Sequence, residues 1–289
     1  MVKKELATVC GICCGDCPNF KKECKGCSAV GGNPFWTEYL KIDICPLYDC
    51  CVNKMDIEHC GLCGKFACRT FMTMESNDPG LSKEKAEASA NNRKRHLEIR
   101  RDCGTEGWLL IKDLWSDKAQ VKYGCSKNLL QLSKENPALV FPLFGFFFSM
   151  TDNENNIFKW TAIDIISNLA AMAGKREIEQ VISKLTGFLK CGVMITANHA
   201  VAGLAEIAFS LPGYSGRITG ELIKVENYDY QTEECRRIVI GKTIISLDSI
   251  YDLQLNNDDV HSFIMRQLEN MRPATRKKAE WFVKKHQLS

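Results

Sequence analysis

The sequence predicts a mostly α protein in two parts: a cysteine-rich module stapled by metal, followed by helix pairs stacked in a repeat. Three observations lead there. Of the 16 cysteines in 289 residues, twelve fall between Cys10 and Cys68. Beyond Trp108 apolar residues recur at spacings of three and four, and helix breakers separate the segments. Finally, a short motif returns about every 38 residues across the C-terminal half.

The N-terminal part, residues 1–78, is rich in Gly, Pro, Asn and Asp, and only short helical pieces such as "PFWTEYLK" fit between its turns. So small a segment buries little apolar surface and needs a staple. Thiolate-bound metal is a sufficient one, since structural zinc contributes about 10–16 kcal/mol of apparent folding energy. Disulfides would need an oxidising compartment. The start, "MVKKELATVCGICC", carries no apolar stretch of the kind that directs secretion, and a cytoplasmic location with reduced thiols is expected. The longest greasy run, Ala138–Met150, is broken by Pro142 and Gly145 and is shorter than the roughly 20 residues that a membrane helix takes. No membrane partner is expected.

The thiols come as C-x2-C pairs: Cys10/Cys13, Cys14/Cys17, Cys24/Cys27 and Cys60/Cys63. Such a turn brings two soft ligands to one ion. Gly11, Gly15, Gly61 and Gly64 follow cysteines and permit the positive φ that these turns often use. Vicinal cysteines rarely both bind one ion, which leaves ten candidate ligands: Cys10, Cys14, Cys17, Cys24, Cys27, Cys45, Cys50, Cys60, Cys63 and Cys68. Two closed zinc sites are expected, about two ions in all. One comes from Cys14, Cys17, Cys24 and Cys27, the other from Cys45, Cys50, Cys60 and Cys63; Cys10 and Cys68 can replace members of either. His59, beside so many thiols, is expected as a supporting or surface residue.

"CGICCGDCP" (Cys10–Pro18), "CKGC" (Cys24–Cys27), "CPLYDC" (Cys45–Cys50) and "EHCGLCGKFAC" (Glu58–Cys68) together resemble a cysteine-rich prokaryotic family, a domain of unknown function. Its members read CGxxCxxCP, CxGC, a cysteine pair five apart, then HCGxCxxxPC. Cys13 and Cys51 look like additions, Ala67 stands where a proline is usual, and Ile42 where an upstream cysteine is expected. The resemblance covers about the first 75 residues and implies metal binding but no settled activity. Two rival readings share these residues. Cys60-x2-Cys63-x4-Cys68 is similar to the opening of small four-iron four-sulfur domains; Cys45, Cys50 or Cys51 would then close a 4Fe–4S cluster. Cys10-x3-Cys14-x2-Cys17 has the spacing of the radical S-adenosylmethionine triplet, but that chemistry needs a β/α barrel, and helices follow instead.

After the break "SNDPGLS", Ser82 is placed to cap a helix that runs to about Asp102, with Gly104 able to end it. Polar on most faces, this helix (residues 79–104) reads as a solvated bridge. From 105 to 289 the chain reads as helix pairs. "AIDIISNLA" (Ala162–Ala170), "AVAGLAEIA" (Ala200–Ala208), "VIGKTIISL" (Val239–Leu247) and "KKAEWFVKK" (Lys277–Lys285) follow one another at offsets of 38, 39 and 38. Second helices lie between them. Two helices per roughly 40 residues is the HEAT/armadillo spacing, so an α-solenoid of HEAT-like pairs is expected. Such a scaffold binds a macromolecular partner, here expected to be a protein.

Net charge is only +3, which gives no global pull toward a polyanion. The basic stretches Arg93–Arg101 and Arg272–His286 offer phosphate contacts, against the plainer reading of solvated helix faces. Helical-repeat DNA-alkylation glycosylases are a fold-level precedent for a repair enzyme, with Trp160, Trp281 and Asp164 in the roles of aromatic and acidic site residues; the plainer reading is core. No phosphate loop, dinucleotide fingerprint or Ser–His–Asp signature is present, so no catalytic residue is assigned.

Overall fold

The computed structural model describes residues 3–77, 80–253 and 257–288; the boundary expected after residue 78 falls on Asp78 and Pro79, outside the described residues. The chain is mostly helical. Apart from isolated bridges pairing Ala7 with Cys13 and Phe20 with Cys24, no β-structure occurs among the described residues. It divides into two compact units, Met1–Cys125 and Ser126–Ser289.

The first unit contains short helices α1 (Trp36–Tyr39), α2 (Pro46–Tyr48) and α3 (Arg69–Thr73), with a π-helical turn over Asp49–Lys54. Of these, α3 packs on the long helix α4 (Lys83–Ile111). Ser82 caps α4 as expected, its Oγ accepting from the Lys85 N–H at 3.4 Å. Gly104 interrupts the helix with φ 73° and ψ 172°, a conformation that essentially only glycine adopts.

Helix α4 is not a solvated bridge. It buries Ala86, Ala90, Arg93, Leu97 and Arg100, a stripe stepping by fours and threes, and beyond Gly104 Trp108 and Ile111. Two members of that stripe are arginines, which hide it from a hydropathy reading. Arg93 lays its guanidinium over the Phe71 ring at 4.7 Å and donates to the Phe71 carbonyl. Arg100 is 2% exposed and donates to the Thr8 carbonyl at 2.7 Å, Thr105 Oγ1 at 2.8 Å and Glu58 Oε1 at 2.8 Å. These charge-assisted bonds satisfy a buried cation that would otherwise be very costly.

Two of the glycines that follow cysteines press on this helix. A Cβ at Gly11, whose φ is +90°, would come 2.6 Å from the Arg93 carbonyl oxygen. One at Gly61 would come 2.7 Å from the Leu97 carbonyl oxygen. Of Gly11, Gly15, Gly61 and Gly64, Gly11 alone has positive φ; at Gly61 it is close approach that excludes a side chain.

The second unit follows from α5 (Ala119–Glu135), within which the division falls. The greasy run folds as α6 (Pro137–Val140), a tight turn through Pro142, and α7 (Phe144–Met150), burying Val140, Leu143 and Phe147. Then come α8 (Asn156–Leu169), α9 (Lys175–Leu189), α10 (Met194–Ser210), α11 (Ser215–Leu222), α12 (Glu233–Ile250), α13 (Asp258–Gln267) and α14 (Pro273–His286). No helix of the described residues is long and apolar enough to cross a membrane.

The four segments of the sequence repeat fall on α8, α10, α12 and α14, and these pack one on the next in that order. Side-chain bonds repeat with the same period. Trp160 Nε1 donates to Thr196 Oγ1, Arg217 pairs with Glu179, Arg272 with Glu234, Lys278 Nζ donates to the Gly241 carbonyl and Lys285 pairs with Asp248, at sequence separations of 36 to 38.

Candidate metal centre

The two turns that carry the C-x2-C pairs at Cys14 and Cys60 are single 3-10 turns, Cys14–Asp16 and Cys60–Leu62, each closed by a backbone bond from the second cysteine's N–H to the first one's carbonyl. Backbone amides also turn onto sulfur. Gly26 N–H donates to Cys24 Sγ at 3.4 Å and Lys65 N–H to Cys63 Sγ at 3.5 Å.

Every cysteine from Cys10 to Cys68 except Cys13 lines one of two cavities. The first, about 600 Å³, takes Cys10, Cys14, Cys17, Cys24, Cys27 and Cys45, walled by Phe20, Phe35, Trp36, Tyr39 and Tyr48 with Glu75 at its edge. The second, about 310 Å³, takes Cys50, Cys51, Cys60, Cys63 and Cys68 beside Lys54, Lys65, Phe66 and Phe71. Cys13 is buried apart from both, packed with Ala7 and Trp108.

Measured against the two expected sets, Cys14, Cys17, Cys24 and Cys27 share a cavity, and so do Cys50, Cys60 and Cys63. Cys45 does not join the latter; it lines the first cavity with Cys10, while Cys68 lines the second. Cys51, set aside in the sequence as one of a vicinal pair, is 2% exposed and its Sγ lies 3.1 Å from Cys60 Sγ. The π-helical turn over Asp49–Lys54 presents both Cys50 and Cys51 to one cavity, and nothing in the sequence marks that wider turn.

Within each cavity one thiol pair is in direct contact. A hydrogen bond from Cys27 lowers the Cys14 pKa to about 6, and the same bond, reinforced by burial, raises that of Cys27. Cys51 is likewise lowered by its bond with Cys60, whose own pKa rises. Burial raises Cys45. Thr8 Oγ1 stands 3.1 Å from Cys10 Sγ.

As the side chains stand, no three or more His, Cys, Asp or Glu side chains among the described residues close into a group tight enough to hold a metal ion. None of the 16 cysteines is in a disulfide. His59 lies not at the surface but buried at 2% exposure, its Nδ1 without a hydrogen-bond partner and against Gly61. Burial, with the Arg100 charge adding, pushes its pKa down to about 4.

A second polar cluster lies in the C-terminal unit. The Trp160 ring stacks on His199, centroids 5.6 Å apart and 6° from parallel, and His199 Nδ1 is 2.8 Å from Asp164 Oδ1. Asp164 and His199 face a cavity of about 440 Å³ that also receives Lys134, Lys242, Asn168 and Asn198. Trp281 is elsewhere, half-exposed beneath Lys285. The basic stretches are largely engaged within the fold: Arg93 and Arg100 are buried, Arg272 pairs with Glu234, and Lys285 and His286 both reach Asp248.

No protein-family model matches the chain, and no curated protein matches it. Among solved structures, the crystal structure of an engineered protein from the Northeast Structural Genomics Consortium is similar at 12% identity over 74% of this chain and 94% of that one, with a TM-score of 0.37. A likeness of that size carries no argument about fold or function.

Proposed function

We propose that this is a zinc-binding protein whose two thiol-lined cavities hold metal and staple the first unit, with the helical unit serving as a HEAT-like α-solenoid that binds a protein partner. The observation that carries the reading is the sorting of eleven thiols into two cavities, each containing one pair in contact. Thiolates at about 2.3 Å from a tetrahedral zinc stand about 3.8 Å from one another. Cys51 and Cys60, 3.1 Å apart, need only a small widening to share one ion. Thiolates on different irons of a cluster stand farther apart, so this pair favours a single ion over a 4Fe–4S cluster. In the second cavity Cys51 and Cys60, with two of Cys50, Cys63 and Cys68, would supply the four ligands. Bound zinc would supply folding energy rather than a reaction. The solenoid reading is supported by the 36-to-38-residue spacing of the bonds along the α8–α10–α12–α14 row, and by the Arg217–Glu179 bond of the same period between α11 and α9.

The test is metal analysis of the full chain purified anaerobically. Colourless protein with stoichiometric zinc is expected, and strong chelation should abolish amide protection in the first unit while leaving α8–α14 helical. Protein that keeps its first unit protected after complete metal removal would sink the reading; brown protein containing iron and sulfide would replace it with the cluster.

A repair enzyme is the second reading, favoured by one arrangement. Asp164 orients His199, whose ring stacks on Trp160 beside a cavity holding two lysines. Release of alkylated bases from methylated duplex DNA, lost in Asp164→Asn, would establish it; no release by the wild type would remove it.

A further inference from the structure

The first cavity holds more thiols than one ion can use. We propose that it is a binuclear site, in which Cys10, Cys14, Cys17, Cys24, Cys27 and Cys45 bind two zinc ions and two of the six thiolates bridge them. This rests on the metal-binding reading above and goes beyond it in stoichiometry and in kind.

Coordination arithmetic is the first support. A structural zinc takes four ligands. Two four-coordinate ions that share two bridging thiolates consume six, the number in this cavity. The second cavity, with five, suits one ion and leaves a spare. Its volume is about 310 Å³ against about 600 Å³ for the first.

Cys10 and Cys45, the two thiols beyond the expected four, are not peripheral. They are 7% and 5% exposed, as deep as Cys14 at 6%, and sit in a buried cluster that also takes in Cys51 and Cys60 of the second cavity, while their own thiols line the first. The backbone ties Cys45 to the loop of Cys27: Gly32 N–H donates to the Cys27 carbonyl at 2.9 Å, and Cys45 N–H donates to the Gly32 carbonyl at 2.7 Å. The turn bearing Cys10 is fixed from the other side, where the Cys60 N–H donates to the Val9 carbonyl. Chain segments from three parts of the module thus line one cavity with thiols.

Charge balance is the third support. One divalent ion with four thiolates and two neutral thiols carries the same net charge as two divalent ions with six thiolates. The second ion displaces the protons of two thiols, which leave to solvent, and no redox step is involved. An aromatic-walled cavity therefore gains an ion with no added net charge to bury.

The experiment uses the full chain, reduced and loaded with zinc, then exchanged with cadmium-113. About three zinc ions per chain are expected, two in the first cavity and one in the second. Two cadmium resonances should show mutual scalar coupling through bridging sulfur. The double variant Cys10→Ser/Cys45→Ser should retain about two ions and lose the coupling. Two ions in the wild type, or three without cadmium–cadmium coupling, would overturn the binuclear site and leave the metal-binding reading standing. No bound metal, or iron with sulfide, would overturn the reading beneath it. If the double variant does not fold, the coupling in the wild type decides alone.

Discussion

Cys103 and Cys125 show how burial, rather than ligation, governs a thiol. Neither lines a cysteine cavity. Burial pushes Cys103 up to about 11, with Asp102 adding, and Cys125 to about 12, with Asp113 adding. The thiolate is the reactive form, so at pH 8 only about one molecule in a thousand at Cys103 and one in ten thousand at Cys125 is poised to react. Both should therefore be alkylated slowly, at rates rising about tenfold per pH unit until each pKa is reached. The exposed Cys191 should react first. A short iodoacetamide pulse followed by peptide mass spectrometry checks this; modification of Cys125 as fast as Cys191 at pH 8 would contradict it. At the same scale, the candidate ligands were legible because C-x2-C is a local pattern whose geometry is set within four residues. Their division between cavities was not. Cys45 is tied to the Cys27 loop through the Gly32 backbone link and lines one cavity with Cys10, an arrangement that spacing does not encode.

Among the elements, the repeat helices are the part that sequence periodicity describes best, because each buries a stripe of small and branched apolar residues. Gly203 on α10 shows how tight that packing is. A Cβ there would clash with Ser167 Oγ of α8 and come within 3.2 Å of Leu185 Cδ1 of α9. Ser167 cannot swing aside freely, since its hydroxyl donates to the Ile163 carbonyl at 2.8 Å. Gly203→Val should destabilise the unit by about 1–3 kcal/mol, and adding Ser167→Ala should return part of that loss. Urea melts of the three proteins measure it; strictly additive effects would show that the two positions do not share a contact. Helix α4 is the opposite case. Its 4-3-4-3 stripe was present in the sequence, but with Arg93 and Arg100 at core positions the apolar count fell too low to reveal it. Partners from other segments, the carbonyls of Thr8 and Phe71 and the carboxylates of Glu58 and Glu75, make those arginines acceptable inside.

On the scale of the whole molecule, the two units are held by different physics. In the first, short turns surround eleven cavity-lining thiols, and the apolar cluster around Leu47, Phe71 and Leu97 is itself partly built from cysteines. In the second, each helix of the α8–α10–α12–α14 row packs on the next, and polar bonds between neighbours such as Arg272–Glu234 and Lys285–Asp248 recur at near-constant separation. Stability of that kind sums over neighbours and requires nothing from a distant segment. A fragment of residues 117–289 begins in the turn before α5 and keeps that helix whole, although the contact boundary falls inside it. It should be soluble, show the circular dichroism of a helical protein and melt at the same temperature with or without a strong chelator. The full chain should instead lose the structure of its first unit on chelation. A soluble fragment without helical dichroism would show that the repeat is not self-sufficient. A fragment whose melting shifts on chelation would show that metal stabilises the helical unit as well, against the division of labour argued from its contacts.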